Sequence, residues 1–252
     1  MKKLTYIIVV LVSFIGTAQN DTLFNKATDS YNNGDYQKAI DYYNGILDNG
    51  QHSAELYFNL GNAYYKLDQI APSIYNYEKA LLLSPNDREI KNNLDYAQNM
   101  TLDAIEVIPE TGLSKIYRTL TGFLSFDQWS YVTVISMMFF VLFCIAFYYF
   151  KYAMHKRIAF ILGIVSLLIS IMTVVLAYIQ YNDFMADQPA IVFDSEVRIK
   201  SEPNKGSQPI FVLHEGTKVN VLDELNGWKK IKIADGKTGW IPSKSIKLLK
   251  DF

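Results

Sequence analysis

The hydrophobic and polar residues of this chain are strongly segregated along its length. Residues 129–150 and 158–180 contain no charged side chain. Each run is long enough to cross the roughly 30 Å hydrocarbon core of a bilayer as a helix. Aromatic residues such as Trp129 and Tyr148 mark the ends of the first run, as in an aromatic belt. The pattern predicts two transmembrane helices, and the small residues Gly163, Ser166 and Ser170 would let them pack closely.

The segment between the two apolar runs, KYAMHKR at 151–157, is basic and contains no acidic residue. It carries Lys151, Lys156 and Arg157, whereas the basic residues beyond the runs are mixed with acidic ones. Short loops rich in Lys and Arg remain in the cytoplasm. We therefore expect these three side chains to determine the topology, with 151–157 cytoplasmic and both flanking segments exported. Neither run contains an ionisable group of the kind that an ion pathway needs.

The first residues, MKKLTYIIVVLVSFIGTAQN, have the pattern of a secretory signal peptide. Lys2 and Lys3 precede a short apolar stretch, and a small-residue cleavage site follows it. Cleavage is expected after Ala18, so that 1–18 is the signal peptide, and the alternative is an uncleaved anchor. In both cases the chain from residue 20 onward leaves the cytoplasm.

Residues 20–87 contain a repeat with a period of 34 residues. Leu60, Gly61, Tyr64, Tyr77, Ala80 and Pro85 have the spacing of a tetratricopeptide repeat, and the earlier segment matches after a shift of 34. We predict repeats at 20–53 and 54–87 and a capping helix at 88–100. Small residues at Ala27, Ala39, Gly61 and Ser73 would bring paired helices together, and Pro85 would end the second helix. Because fewer than three repeats are marginal, a cap, a partner or a second copy must supply further burial.

The resemblance to tetratricopeptide repeats implies a concave groove that binds peptide segments. The positions expected to face this groove are Phe24, Thr28, Tyr31, Phe58, Asn62, Tyr65, Lys66 and Tyr96. Tyrosine and asparagine suit recognition because they combine apolar area with adaptable hydrogen bonding. The alternative is that several of these tyrosines only pack one helical hairpin against the next.

A linker is expected between the repeats and the first apolar run. Pro109 and Gly112 interrupt the helical pattern, and residues 113–124 then carry an apolar stripe at helical spacing. We predict a linker with an amphipathic helix over 101–128. The helix would lie in the membrane interface or dock against the repeats, because an amphipathic pattern alone fits both.

The last 65 residues, 188–252, change to short strands separated by turns. The pairs Asn226-Gly227 and Asp235-Gly236 are each flanked by strand-like sequence and predict hairpins. Five short strands would form a small barrel. The segments EGTKVNVL, NGWKKIKI and GKTGWIPSKSI resemble bacterial SH3 domains, in which Trp228 and Trp240 match two characteristic aromatic positions. The resemblance implies binding of cell-wall peptides or protein segments, with Trp240 as a candidate binding residue. The alternatives are that Trp228 is mainly core and that Trp240 only caps the barrel.

Composition and charge favour a binding protein over an enzyme or a nucleic-acid-binding protein. The formal net charge is −1, so no overall basic field points to nucleic acid. The single cysteine, Cys144, lies in an apolar run, and together with the three isolated histidines it offers no nucleophile–base pair. We therefore expect no catalytic site, metal or cofactor. The predicted fold class is a multidomain membrane protein with all-α tetratricopeptide hairpins, a two-helix transmembrane hairpin and a small all-β SH3-like barrel.

The order of these segments resembles the BatE family, the repeat proteins of the bacterial aerotolerance (Bat) operon. The resemblance implies an inner-membrane protein that works beside membrane-anchored von Willebrand factor A-type proteins and a MoxR-type ATPase in oxidative or envelope stress. The first hypothesis is a scaffold whose two exported domains bind protein partners. The second is a membrane-anchored module that binds peptidoglycan through the barrel. A third, a sensor acting on a cytoplasmic partner, is limited by the small size of segment 151–157.

Overall fold

The structure is a computed structural model that describes residues 20–103, 105, 112, 115, 117, 119 and 121–251. The predicted signal peptide and most of the predicted amphipathic helix lie outside the described residues. The chain forms two compact units: Met1–Ile108 together with Gln188–Phe252, and Pro109–Asp187.

The N-terminal part of the first unit is an array of five helices. They are α1 (residues 20–32), α2 (Tyr36–Asp48), α3 (Ala54–Lys66), α4 (Ile70–Leu83) and α5 (Arg88–Gln98). The Ser53 side chain caps α3 by accepting a hydrogen bond of 3.1 Å from the Leu56 amide. Helix α4 ends two residues before Pro85, which has no amide hydrogen to continue it. The described helices thus form two helical hairpins followed by one further helix.

The small residues of the repeats lie where paired helices approach most closely. Ala27, Ala39 and Ser73 are fully buried. The Ser73 hydroxyl donates a hydrogen bond of 2.9 Å to the carbonyl of Gly61 on the preceding helix. A Cβ atom added at Gly61 would lie only 2.6 Å from two ring carbons of Tyr77. The predicted role of the small residues in helix packing is therefore confirmed.

The C-terminal part of the first unit is an antiparallel sheet of seven strands. In chain order they are β1 (Pro189–Val192), β2 (Glu196–Lys200), β3 (Pro209–His214), β4 (Lys218–Leu225), β5 (Trp228–Lys232), β6 (Thr238–Pro242) and β7 (Ile246–Leu248). The spatial order is β3-β2-β6-β5-β4-β1-β7. The sheet is open because its outermost strands, β3 and β7, do not pair with each other. The predicted small all-β SH3-like domain is confirmed, but it has seven strands instead of five and its sheet is not closed.

Both predicted hairpin turns are present, with different geometry. Asn226 and Gly227 have φ values of 49° and 79°, and they connect β4 to β5 as a two-residue turn. In the second turn only Gly236 has a positive φ, 85°. The Asp235 carboxylate there accepts a hydrogen bond of 2.9 Å from the Lys237 amide.

The helical array and the sheet share one hydrophobic core. Ile191 of β1 and Leu249 after β7 are fully buried in the same cluster as Ile70, Ile74 and Tyr77 of α4. The sheet therefore supplies the additional burial that an array of two repeats requires. The packing of the two domains against each other was not predicted from the sequence.

Two ion pairs join the outer side of α4 to the sheet. Glu78 and Lys79, only 6% and 5% exposed, are almost fully buried by the packing. Lys218 donates to the Glu78 carboxylate at 2.6 Å, and Lys79 pairs with Asp251. The Lys79 ammonium lies 4.9 Å and 5.0 Å from the ring centroids of Tyr57 and Tyr75. These partners compensate for burying charges between the two domains.

A short segment after α5 is also attached to the sheet. One oxygen of the Asp103 carboxylate accepts from the His214 amide at 2.7 Å and from the Thr217 hydroxyl at 2.6 Å. The other oxygen lies 2.7 Å from His214 Nδ1. Gly216 lies between His214 and Thr217 in the chain. Its Cα is so close to Ile74 and Thr101 that a Cβ atom would collide with them. The turn before β4 is thus fitted against the end of the helical array.

The second unit contains two helices that are long and apolar enough to cross a membrane. They are α6 (Phe126–Tyr149) and α7 (Ala153–Ala186). Ser166, Ser170 and Gly163 of α7 are buried, and the hydroxyls of Thr133 and Thr173 hydrogen-bond across the pair at 2.8 Å. This geometry agrees with the predicted close packing.

The connection between these helices is shorter than predicted. Only residues 150–152 separate α6 from α7, so Lys156 and Arg157 lie on α7 and not in a loop spanning 151–157. The Lys156 ammonium lies 5.6 Å from the ring centroid of Phe147 on α6. Helix α7 also continues past residue 180 to Ala186. The polar residues at both ends of α7 fit a helix that extends beyond the apolar run. The periodicity of the sequence does not show where such a helix begins and ends.

Candidate partner-binding cleft

Five of the predicted groove residues surround one cleft of about 260 Å³ in the helical array. Tyr31 comes from α1, Asn62, Tyr65 and Lys66 from α3, and Tyr96 from α5. Tyr77 and Asn93 complete the lining. Residues 62, 65 and 66 share one face of α3 because helical neighbours recur every three or four positions. The 34-residue repeat therefore brings these side chains together.

Asn62 is at the centre of the hydrogen bonds in the cleft. Its Oδ1 accepts from the Tyr77 hydroxyl at 2.7 Å and from the Asn93 amide group at 2.9 Å. The Nδ2 group of Asn62 makes no hydrogen bond to the described residues, so its two N–H donors remain for a ligand. The structure thus fixes the orientation of the side chain that is best placed to bind a peptide carbonyl.

Two tyrosines of the cleft, Tyr31 and Tyr77, are held in the neutral form by their surroundings. Burial raises the pKa of Tyr77 far above its usual value. Burial, together with nearby Tyr36 and Tyr43, also raises the pKa of Tyr31. None of the seven lining residues is acidic, and Lys66 supplies the cation. The lining therefore offers donors, aromatic surface and one positive charge.

Phe24 and Phe58 do not line this cleft. Phe24 borders a second concavity of about 530 Å³ with Ile46 and Leu56, and its ring packs against Tyr43 at a centroid distance of 5.5 Å. Phe58 borders a third of about 390 Å³ beside Ile90. The Phe58 ring also packs against the core, with its centroid 5.9 Å from that of Tyr77. The predicted positions therefore border three separate concavities and not a single continuous groove.

Thr28 has a packing role. Its hydroxyl hydrogen-bonds to the Phe24 carbonyl at 3.0 Å and lies 3.3 Å from the Tyr43 hydroxyl. These contacts connect α1 to α2 within the first hairpin. The alternative that some groove positions only pack the hairpins describes Thr28 and Phe24 well.

Two lining residues, Tyr77 and Asn93, were not among the predicted groove positions. Tyr77 occupies a repeat consensus position, which suggested packing only. Asn93 stands three residues before Tyr96 on α5, and this helical spacing was the available signal. The hydrogen bond between α3 and α5 that places Asn93 in the cleft depends on their tertiary packing.

Trp240 lies on the sheet and not in the cleft. It is half-buried on β6, on the side of the sheet opposite buried Gly239 and Ile241. Trp228 is also half-buried and pairs with Pro242 across the strands. The expectation that Trp228 is mainly core was wrong, because its position on β5 directs it away from the core residue Ile231.

The geometry around His214 does not form a nucleophile–base pair. His214 and Thr217 both bind the Asp103 carboxylate, so the hydroxyl does not donate to the imidazole as a nucleophile activated by it would. Burial by itself would raise the pKa of Asp103, but hydrogen bonds from Thr217 and His214 outweigh it and hold this pKa below its usual value. An ionised carboxylate here acts as an acceptor that joins the two domains.

Comparison with known proteins identifies the two kinds of domain. The family model of the tetratricopeptide repeat matches residues 54–87, and that of the bacterial SH3 domain matches residues 195–247. No curated protein matches the chain. The first range contains Asn62, Tyr65, Lys66 and Tyr77, and the second contains Trp240. Such domains are typically non-catalytic binding modules. The chain combines a tetratricopeptide-repeat array, two apolar helices and a bacterial SH3 domain whose antiparallel sheet is open.

Proposed function

We propose that this protein is a non-enzymatic membrane scaffold whose cleft binds an extended segment of a protein partner. The observation that carries the proposal is the set of side chains that converge there: four tyrosines, two asparagines and Lys66. Tyrosines supply rigid apolar area with a hydroxyl donor. The Asn62 amide suits a backbone carbonyl, because unpaired carbonyls of an extended peptide need donors.

The charge of the cleft defines the partner further. Lys66 lies in the last turn of α3, and no acid lines the cleft. A segment with an acidic side chain near Lys66 therefore fits better than a basic one. The opposite side of α4 packs against the sheet through Tyr75 and Lys79, so that side is already covered within the chain.

The proposed location is the bacterial inner membrane, with both larger domains in the periplasm. Lys151, Lys156 and Arg157 cluster where α6 meets α7, which favours a cytoplasmic connection. Two spans return the chain to the side from which it started. The ion pairs between α4 and the sheet support this arrangement, because they require the segments before and after the helices to share one side.

We infer a place in an aerotolerance or envelope-stress complex from the order of the domains. This order resembles the BatE family, and the partners it implies are membrane-anchored von Willebrand factor A-type proteins. Such partners share the membrane with this chain, so a modest affinity in the cleft suffices at the high effective concentration of two anchored proteins.

Photo-crosslinking in native membranes tests the cleft. A photoreactive phenylalanine at Tyr96 is expected to crosslink one defined protein, and the same group at Lys91, on another face of α5, is the control. Asn62→Ala together with Lys66→Gln should abolish the Tyr96 product. Equal products from positions 96 and 91, or a product that survives the cleft substitutions, would exclude the cleft as the binding site.

The alternative proposal is a membrane-anchored module that binds peptidoglycan. It is favoured by the half-exposed rings of Trp228 and Trp240, because aromatic rings stack on apolar ligand faces. The test is retention of the full chain on purified sacculi in mild detergent. If wild type is retained and Trp240→Ala is not, the result supports this function. Equal retention of wild type and Trp240→Ala contradicts it.

A further inference from the structure

The outer side of the sheet carries a row of alternating cationic and aromatic residues. Trp240 on β6 is aligned with Lys200 on β2 and with Lys230 on β5. Residues directly opposite on adjacent strands project to the same side, with Cβ atoms about 5 Å apart. Lys232 and Trp228 lie two positions from Lys230 on β5 and therefore share this side. We name these five residues the Trp240 face.

The lysines of the Trp240 face differ from the other cations of the strands because they have neither an acidic nor an aromatic partner among the contacts of the described residues. Arg198, Lys218 and Lys229 each have a carboxylate within 4.0 Å, and Lys247 lies 4.3 Å from the ring centroid of Phe193.

Within residues 121–251 and the described part of the repeats, no carboxylate forms an ion pair with Lys200, Lys230 or Lys232. Lys200 donates to the Ser207 carbonyl at 2.9 Å, which leaves its charge uncompensated. Asp223 is aligned with Lys230, but its carboxylate accepts from the Glu224 amide. Because the Asp223 carboxylate shares this side, the face presents three lysines and one carboxylate, which leaves two net positive charges around an aromatic centre.

We propose that the Trp240 face docks on anionic lipid headgroups of the bilayer that α6 and α7 cross. Each lysine near an anionic surface contributes about a fivefold preference for it, and tryptophan favours the headgroup level. Only Asp187 and Gln188 separate the end of α7 from β1, so the chain itself keeps the sheet close to headgroups. This tether makes a weak surface interaction effective.

The proposal is independent of the peptide cleft, which is formed by other side chains. Lipid is favoured over an acidic peptide because the residues of the Trp240 face form a row on the sheet. The side chains of the peptide cleft, in contrast, surround a concavity. A wall fragment would also use the rings of Trp228 and Trp240, but its binding would not depend on the short connection between α7 and β1. Both other ligands are outcomes of the test.

The test uses the full chain in lipid nanodiscs with Trp240 as the single tryptophan, after Trp129→Phe and Trp228→Phe. Acyl chains brominated near the headgroup quench a tryptophan that reaches them. We expect quenching in discs containing phosphatidylglycerol to exceed that in pure phosphatidylcholine and to fall at high salt. Changing Lys200, Lys230 and Lys232 to Gln should reduce it to the phosphatidylcholine level.

The matched control changes Lys91, Lys205 and Lys244 to Gln, which removes the same charge elsewhere and should leave the quenching intact. Circular dichroism checks that both triple variants are folded. Equal quenching in the two lipid compositions would overturn the proposal. A second result would also overturn it: polyglutamate or soluble muropeptides protect Trp240 from acrylamide quenching in a saturable way, and phosphatidylglycerol has no effect on Trp240.

Discussion

Gly61 sets the distance between the two helices of the second repeat. Its Cα faces the ring of Tyr77, whose hydroxyl is held by Asn62 at 2.7 Å. The ring is thereby fixed at both ends, because its carbon atoms are buried in the core. Gly61, which permits the close packing, is thus in direct contact with Tyr77, which lines the cleft.

Gly61→Ala is therefore expected to destabilise the protein although alanine favours helices. The added methyl group would lie 2.6 Å from the ring, and overpacking of this kind costs about 1–3 kcal/mol. Gly45→Ala is the control, because a Cβ atom there meets only Leu23 at an ordinary 3.8 Å. Thermal unfolding should show a lower Tm for Gly61→Ala alone. Equal Tm values for the two variants would contradict the close approach.

The ion pair between Lys79 and Asp251 should respond unequally to removal of its two members. The Lys79 side chain is 7% exposed and that of Asp251 is 45% exposed. Asp251→Asn removes a carboxylate from beside a buried ammonium, whereas Lys79→Met leaves a carboxylate that reaches water and the Tyr75 hydroxyl. We expect Asp251→Asn to reduce the free energy of unfolding, measured in urea, by about 1–2 kcal/mol more than Lys79→Met does. The opposite order would show that the pair is not buried as described.

At the scale of elements, the segment after α5 is a pH-dependent attachment between the helical array and the sheet. The folded pKa of Asp103 lies below its unfolded value of about 3.9. A lowered pKa contributes stability that is fully present above the unfolded pKa and is lost as the pH falls through the folded pKa. This attachment should therefore weaken below about pH 4.

Unfolding in urea between pH 3 and pH 6 measures this contribution. Wild type should lose stability at the acidic end more steeply than Asp103→Asn. Thr217→Val should lose less stability on acidification than wild type, because it removes a hydrogen bond that lowers the pKa of Asp103 and so brings the folded pKa closer to the unfolded value. Parallel pH curves for wild type and Asp103→Asn would contradict the assigned role.

The sequence predicted those elements whose signals are local. The helices of the second repeat and the turn at Asn226 each depend on residues that are close in the sequence, and both appear as expected. The pairing of β1 with β4 and β7 could not be predicted, because such long-range pairing leaves no local pattern.

The candidate site shows the same division between local and distant signals. Helical spacing brought Asn62, Tyr65 and Lys66 together, whereas Asn93 joins them through a hydrogen bond between residues 31 positions apart. Lys79 and Glu78 resembled solvent-exposed helix residues, because nothing local indicates that a sheet more than 100 residues later covers them.

At the scale of the whole molecule, the docked helical array and sheet explain how two repeats form a stable cleft. The sheet buries the outer side of α4 and leaves Tyr77, on another face of the same helix, in the cleft. The segments that dock are separated in the chain by two apolar helices, so docking requires that both emerge on one side of a membrane. We expect them to emerge on the exported side, because the basic residues lie between the helices.

One crosslinking measurement in spheroplasts tests both docking and sidedness. The chain carries Glu78→Cys and Lys218→Cys, at the ion pair of 2.6 Å, and Cys144→Ser removes the native thiol. A short, membrane-impermeant bifunctional thiol reagent should produce an intramolecular crosslink in intact spheroplasts, and Lys205→Cys in place of Lys218→Cys should not. A crosslink that forms only after lysis would contradict the exported location, and no crosslink under either condition would contradict the docking.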